Sequence, residues 1–71
     1  MKQLGNDARQ LYAAIRALCE PGETDTYLDL AESLAQIHGE RSRAACDELV
    51  RAGYITLHET YVSINKQGVT K

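Results

Sequence analysis

Residues 41–64 read RSRAACDELVRAGYITLHETYVSI, and the periodicity of their apolar side chains changes in the middle of this stretch. In its first half, up to residue 52, apolar residues recur every three or four positions, which is typical of a helix buried on one side. Gly53 follows, and glycine is the residue that most often ends a helix in the left-handed conformation. Apolar and polar residues then alternate in residues 54–57 and 61–64, which indicates two strands. The stretch therefore predicts a helix that runs into a β-hairpin.

The side chains expected to face inward are unusually small in this helix. They are Ser42, Ala45, Cys46 and Leu49. Small inward residues imply that the helix lies close to its neighbours. In the hairpin, Ile55 and Leu57 share one face of the first strand, and Val62 and Ile64 share one face of the second. One dry face and one wet face are therefore expected.

Two further helices are predicted upstream. Residues 7–19 carry an apolar stripe at helical spacing, and Asn6 is a suitable N-cap. A second helix is expected to begin at Thr26, because Thr26 and Asp29 have the spacing of a capping box. Gly39 is expected to end the apolar periodicity of this second helix. The residues expected on its buried face are Tyr27, Leu30, Ala31 and Leu34.

Length and composition indicate a single folded domain. The chain has 71 residues, of which 44% are hydrophobic, so one domain is expected over residues 1–71, with a core over about 6–65 and a short polar tail over 66–71. No apolar run approaches the roughly 20 residues of a membrane-spanning helix. The first residues lack the apolar segment of a signal peptide, so a cytoplasmic protein without membrane contact is predicted.

The charge balance argues against capture of nucleic acid by bulk charge alone. The net charge is -2, whereas proteins that bind nucleic acid nonspecifically are usually basic. Residues 1–37 hold three basic and six acidic residues, and residues 38–71 hold five basic and four acidic ones. Positive charge is thus slightly concentrated in the half that contains the hairpin.

The order of three helices and a hairpin, together with the local sequence, resembles the winged helix-turn-helix domains of small bacterial and phage transcription regulators. The resemblance is carried by DLAESL at residues 29–34, DELVRAGYI at residues 47–55 and YVSINKQG at residues 61–68. In that family, a Leu-Ala-Glu helix, a turn and a helix that opens with Arg-Ser lead through a glycine into the wing. The resemblance spans about residues 8–68. It implies an α+β fold with three helices and a two-stranded hairpin wing.

In winged-helix regulators the third helix enters the major groove, and its first turns meet the base edges. The residues that the resemblance places there are Arg41, Arg43, Ala44 and Asp47. The two arginines are the stronger candidates, because a guanidinium matches the acceptors of guanine and also binds phosphate. Ser42 is expected to point inward. The alternative is that both arginines are solvated and paired with Glu40 and Asp47.

The wing carries little positive charge. Its tip is His58-Glu59-Thr60, where His58 can donate a hydrogen bond to a phosphate and Glu59 would be repelled by one. The resemblance implies contacts of His58 and Lys66 with the DNA backbone. The alternative is a hairpin that only closes the core.

Five of the six acidic residues of the first half lie between Arg16 and Arg41, without an intervening basic residue. They are Glu20, Glu23, Asp25, Asp29 and Glu32. The simple interpretation is that they complement helix dipoles and aid solubility. The second interpretation is a face, formed by Glu23, Asp25, Asp29 and Glu32, that meets a basic protein partner.

The function expected from these features is sequence-specific binding of double-stranded DNA, by a homodimer, because one copy offers few phosphate contacts. The alternative is a winged-helix module for protein–protein interaction, such as a phage or mobile-element inhibitor of a host machine (anti-CRISPR-like). No enzyme, cofactor or metal site is predicted, because no nucleophile, phosphate-loop or metal-ligand spacing is present. Cys19 and Cys46 lie on apolar stripes and are interpreted as buried thiols, with a redox switch as the alternative.

Overall fold

The computed structural model describes residues 4–19 and 22–65, and within them the chain forms an α+β fold. The elements in chain order are α1 (Asn6–Cys19), β1 (Asp25–Tyr27), α2 (Leu28–Ala35), α3 (Gly39–Ala52), β2 (Ile55–Leu57) and β3 (Tyr61–Ile64). The three predicted helices and both strands of the hairpin are present. The predicted tail over residues 66–71, which includes Lys66, lies outside the described residues.

The sheet has three antiparallel strands in the order β1-β3-β2, so the prediction of a two-stranded hairpin was incomplete. The extra strand, β1, lies between α1 and α2 in the chain and pairs with β3, with Thr26 opposite Val62. Three residues are too few to show a period in the sequence, and their partner lies more than 30 positions away. The element order remains compatible with a winged-helix shape.

The prediction that α2 begins at Thr26 with a capping box was wrong. Tyr27 occupies the N-cap position in an extended conformation, with φ -74° and ψ 137°, and its side chain makes no cap hydrogen bond. Thr26 belongs to β1, where its backbone pairs with Val62. The Leu28 N–H donates to Thr60 O at 3.2 Å. Backbone groups of the distant hairpin therefore replace the local side-chain cap.

The buried face of α2 is also shifted by one residue from the prediction. Of the four residues expected inside, only Ala31 is buried; the other three are exposed, namely Tyr27 (61%), Leu30 (52%) and Leu34 (54%). The face that packs on the core is Leu28, Ala31 and Ala35. Two adjacent apolar stripes share this short helix, and the pairing of β1 with β3 decides which stripe faces inward.

The ends of the other helices agree closely with the sequence. α1 begins one residue earlier than predicted, because Gly5 O accepts the first helical bond from Arg9 N–H at 3.0 Å. The Gly5 N–H donates to the Glu48 carboxylate at 2.7 Å. Gly39 was expected to end the pattern of the second helix, but α2 ends at Ala35 with Gln36 as its left-handed C-cap, and Gly39 begins α3. α3 ends as predicted at Gly53, with φ 87°.

The core lies between α1, α2, the inner face of α3 and the inner face of the sheet. Its largest fully buried apolar side chains are Leu11, Ile15, Ile37, Leu49, Ile55 and Val62. The small inward face predicted for α3 is confirmed, since Ser42, Ala45 and Cys46 are 3% exposed or less. The predicted dry face of the hairpin holds for Ile55 and Val62, whereas Leu57 is 46% exposed.

No helix in the described ranges, 4–19 and 22–65, is long and apolar enough to cross a lipid bilayer.

Replacement of Gly53 tests the left-handed end of α3. We expect Gly53→Ala to lower the free energy of unfolding by about 1–2 kcal/mol, because a Cβ disfavours positive φ. Gly53→Asn is the matched control, and its free energy of unfolding should fall less, since asparagine tolerates this conformation. Urea denaturation of the three proteins gives the comparison. Equal stability of wild type and Gly53→Ala would contradict the assignment.

Candidate nucleic-acid interface

The accessible side of α3 is the candidate interface, because the opposite side is buried. Helical residues three or four apart share a face. The buried residues are Ser42, Ala45, Cys46 and Leu49. Opposite them lie Glu40, Ala44, Asp47 and Arg51, all exposed. This outward strip holds two carboxylates and one guanidinium, and within it Arg51 pairs with Asp47 at 3.1 Å. Free positive charge must therefore come from its two flanks.

The structure separates the two predicted arginines. Arg41 lies on the flank of α3 that faces the start of α1, where it lines a shallow pocket with Ala44, Asp7 and Glu48. Arg43 lies on the other flank, beside β2. Sequence spacing placed both in the first turns of one helix, but side chains two positions apart point in different directions.

Arg41 forms a two-pronged ion pair with Asp7 of α1. Its Nη2 lies 2.7 Å from Asp7 Oδ1 and its Nε lies 2.9 Å from Oδ2. The hydrogen bond and the charge of Arg41 lower the pKa of Asp7, and the same contact raises the pKa of Arg41. The partner is thus Asp7, 34 positions away, and not Glu40 or Asp47 as local spacing suggested. A DNA phosphate would have to compete with this carboxylate for Arg41.

Arg43 is exposed and makes no ion pair with any residue in the described ranges. It borders a groove of about 680 Å³ between α2, α3 and the hairpin. Residues that line this groove include Leu28, Cys46, Asp47, Val50, Ile55 and Leu57. Arg43 is therefore the guanidinium of α3 that is most available to a ligand, and Asp47 is its acidic neighbour.

Ser42 points inward as predicted, and its hydroxyl donates to the carboxylate of Glu32 on α2. This bond joins the two helices and withdraws Glu32 from the predicted acidic face. Sequence reasoning missed it, since no spacing rule relates residues ten apart on two different helices. The other three members of that face, Glu23, Asp25 and Asp29, are exposed.

His58 was predicted to donate a hydrogen bond from the wing to a DNA phosphate, but its side chain is held within the hairpin. Its ring stacks on Tyr61 with centroids 4.2 Å apart and planes 12° apart. Its Nε2 lies 3.0 Å from Ser63 Oγ, which donates to Asp25 Oδ1 at 2.8 Å. Because the serine proton is given to Asp25, His58 Nε2 is the donor to Ser63. A phosphate contact through Nε2 would have to break this chain, and Lys66 lies outside the described residues.

Both cysteine thiols are buried and free, as expected. Burial raises the pKa of Cys46, the charge of Glu32 adds to this, and a hydrogen bond with Ser42 opposes it. Burial raises the pKa of Cys19 as well, with smaller contributions from Asp25 and Glu23. Within residues 4–19 and 22–65, no three His, Cys, Asp or Glu side chains cluster closely enough to hold a metal ion.

Comparison of the chain with protein-family models, with curated proteins and with solved structures found no match in any of the three.

The Asp7–Arg41 pair should make stability depend on pH. Its pairing lowers the pKa of Asp7 below the ordinary value of 3.8, so the stabilisation is complete at neutral pH and is lost as pH falls through the lowered pKa. We expect the free energy of unfolding of Asp7→Asn to fall less between about pH 4 and about pH 2 than that of wild type. Glu40→Gln is the control and should follow wild type in urea titrations. Identical slopes for Asp7→Asn and wild type would refute the pairing.

Alkylation tests the environment of the two thiols. The thiolate is the reactive form, so burial and a raised pKa slow its formation. We expect Cys19 and Cys46 to react with iodoacetamide at about pH 8 more than tenfold more slowly in the folded protein than in urea. Mass spectrometry of proteolytic fragments reports each site. A cysteine that reacts equally fast in both states is not buried in solution.

Proposed function

We propose that this chain is a winged-helix domain that binds double-stranded DNA with α3 in the major groove. The order of elements supports this proposal. A strand lies between the first two helices, only residues 36–38 separate α2 from α3, and α3 leads directly into the β2–β3 hairpin. Such a protein would act as a small bacterial or phage transcription regulator in the cytoplasm.

The observation that carries the proposal is the exposure of Arg43 in the first half of α3, on the flank beside the hairpin. A helix in the major groove presents its N-terminal residues to the bases. From that position, a guanidinium that forms no ion pair within residues 4–19 and 22–65 can reach guanine acceptors or a phosphate. Ala44, on the outward strip, permits close approach of the helix, and Asp47 can accept from a cytosine amino group.

Arg41 supplies a second, conditional contact. Its ion pair with Asp7 is exposed, with side-chain exposures of 64% and 32%, and exposed ion pairs contribute little to stability. A change of the ion-pair partner of Arg41 from Asp7 to a DNA phosphate should therefore perturb the fold little. Arg41 would contact the backbone on the α1 side, while Arg43 contacts DNA on the hairpin side.

Affinity per copy is expected to be modest, because the net charge is negative and Arg51 is held by Asp47. Each neutralised phosphate contributes about 0.9 to the slope of log affinity against log salt concentration. A homodimer on a repeated half-site would double the number of contacts. We therefore expect the protein to bind DNA at low salt, with an affinity that falls only slowly as the salt concentration rises.

The second candidate function is a protein-interaction module, such as an inhibitor of a host machine. The observation that favours it is the exposure of Glu23, Asp25 and Asp29. These carboxylates oppose a phosphate backbone and attract a basic protein surface.

Substitution of Arg43 tests DNA binding. A pool of random duplexes of about 20 base pairs is titrated at several salt concentrations and followed by fluorescence anisotropy. We expect Arg43→Ala to weaken binding and to reduce the salt slope by about 1, and Asp7→Asn to strengthen binding by releasing Arg41. Arg9→Ala, which removes an exposed arginine from α1, is the matched control and should leave affinity nearly unchanged.

Two outcomes would contradict the proposal. One is the absence of binding by wild type at low salt. The other is an equal loss of affinity in Arg43→Ala and Arg9→Ala, which would indicate attraction by charge without an interface on α3.

A further inference from the structure

A second surface lies at the β1 edge of the sheet, on the side away from α3. α3 packs against β2, and β1 is at the opposite edge. A cleft of about 450 Å³ opens there. The residues that line it are Leu18, Glu23, Asp25, Thr26, Tyr27 and Tyr61. The cleft is separate from the groove beside Arg43, with which it shares no lining residue.

Two aromatic rings line this cleft and remain accessible. Tyr27 and Tyr61 lie directly opposite each other on β1 and β3, and they are 61% and 36% exposed. His58 stacks on Tyr61 and thereby restrains that ring. The face of an aromatic ring carries negative electrostatic potential, which attracts a cation. The rings therefore favour a positively charged group.

Two carboxylates lie at the same cleft, and none of the described residues that line it is basic. Asp25 is held in place by the hydroxyls of Ser63 and Thr24, which both donate to its Oδ1. Glu23 is anchored through its backbone N–H, which bonds to Cys19 O at 2.9 Å. Charge complementarity thus selects a cationic ligand and opposes a phosphate.

The main chain of β1 offers a third kind of contact. Leu28 N–H bonds to Thr60 O, and Ile64 N–H bonds to Thr24 O, so these positions form the bonded pairs of the β1–β3 ladder. Because bonded pairs alternate in an antiparallel ladder, the N–H and C=O groups of Asp25 and the N–H of Tyr27 point away from β3. The Tyr27 C=O is at the N-cap of α2 and belongs to that helix. An extended peptide can pair with such an edge.

We propose that the β1 edge and its cleft bind an extended basic segment of a partner protein. The segment adds as a fourth strand through the N–H and C=O of Asp25 and the N–H of Tyr27. One of its lysine or arginine side chains lies against the two tyrosines, near Glu23 and Asp25. The inference specifies the partner chemistry of the second candidate function and rests on it, but it does not depend on DNA binding by α3.

A peptide titration tests this inference. The probe is an acetylated pentapeptide of alternating threonine and arginine, and the matched probe has citrulline, the neutral isostere, in place of arginine. Proton–nitrogen correlation spectra of the full chain report each amide. We expect shifts in residues 23–27 and 61–63, slower hydrogen exchange at Asp25 and Tyr27, and binding of the citrulline peptide about tenfold weaker.

Substitutions at the cleft sharpen the test. Glu23→Gln, Asp25→Asn and Tyr27→Ser should each weaken binding of the arginine peptide several-fold. Asp25→Asn retains an oxygen that can accept from Ser63, and Tyr27 is mostly exposed, so these variants should fold. Glu40→Gln removes one negative charge from α3 and is the matched control, with affinity equal to wild type. Thermal unfolding of every variant checks the fold.

Four results would overturn the inference. They are equal binding of the two peptides, shifts confined to α3, no binding of either peptide at millimolar concentration, and stronger shifts of the cleft amides by oligothymidylate than by the arginine peptide. Titration of the same sample with the duplex pool reports on α3 separately. If neither peptide binds while duplex DNA shifts the amide signals of α3, this inference fails and the proposal of DNA binding stands.

Discussion

The pairing of β1 with β3 is the interaction on which the arrangement of the other elements depends. β3 bonds to β2 on one side and to β1 on the other, so three extended residues connect the chain between α1 and α2 to the hairpin. A hairpin of two strands alone is marginally stable in water. The third strand, β1, anchors the hairpin to the helices, and Val62 of β3 lies in the core. It also determines where α2 begins.

The same ladder divides the accessible surface into two regions of opposite character. On the β2 side, α3 presents Arg43 next to the hairpin. On the β1 side, the ladder sets Tyr27 opposite Tyr61 and directs the main chain of Asp25 outward, in a setting without basic residues among the cleft's lining. One sheet thus borders an exposed guanidinium on one side and a cleft with two carboxylates on the other.

Long-range polar contacts give structural roles to charged residues that local spacing assigns to the surface. Arg41 binds Asp7 and so joins α3 to α1. Glu32 accepts from Ser42 and joins α2 to α3. In each case the partner lies on another helix, ten or more positions away. Such contacts follow from helix packing, so the charge available for binding is less than a count of residues suggests.

The sequence by itself determined the three helices, the hairpin, the small inward face of α3 and the helix end at Gly53, because periodicity and glycine act over a few neighbouring residues. It also identified Arg43 as a residue of the accessible face of α3. Only the tertiary structure decided β1, the stripe of α2 that faces inward, the pairing of Arg41 and the separation of Arg41 from Arg43. These features arise from hydrogen bonds and packing between segments distant in the chain, and no local pattern records which distant partner each segment meets.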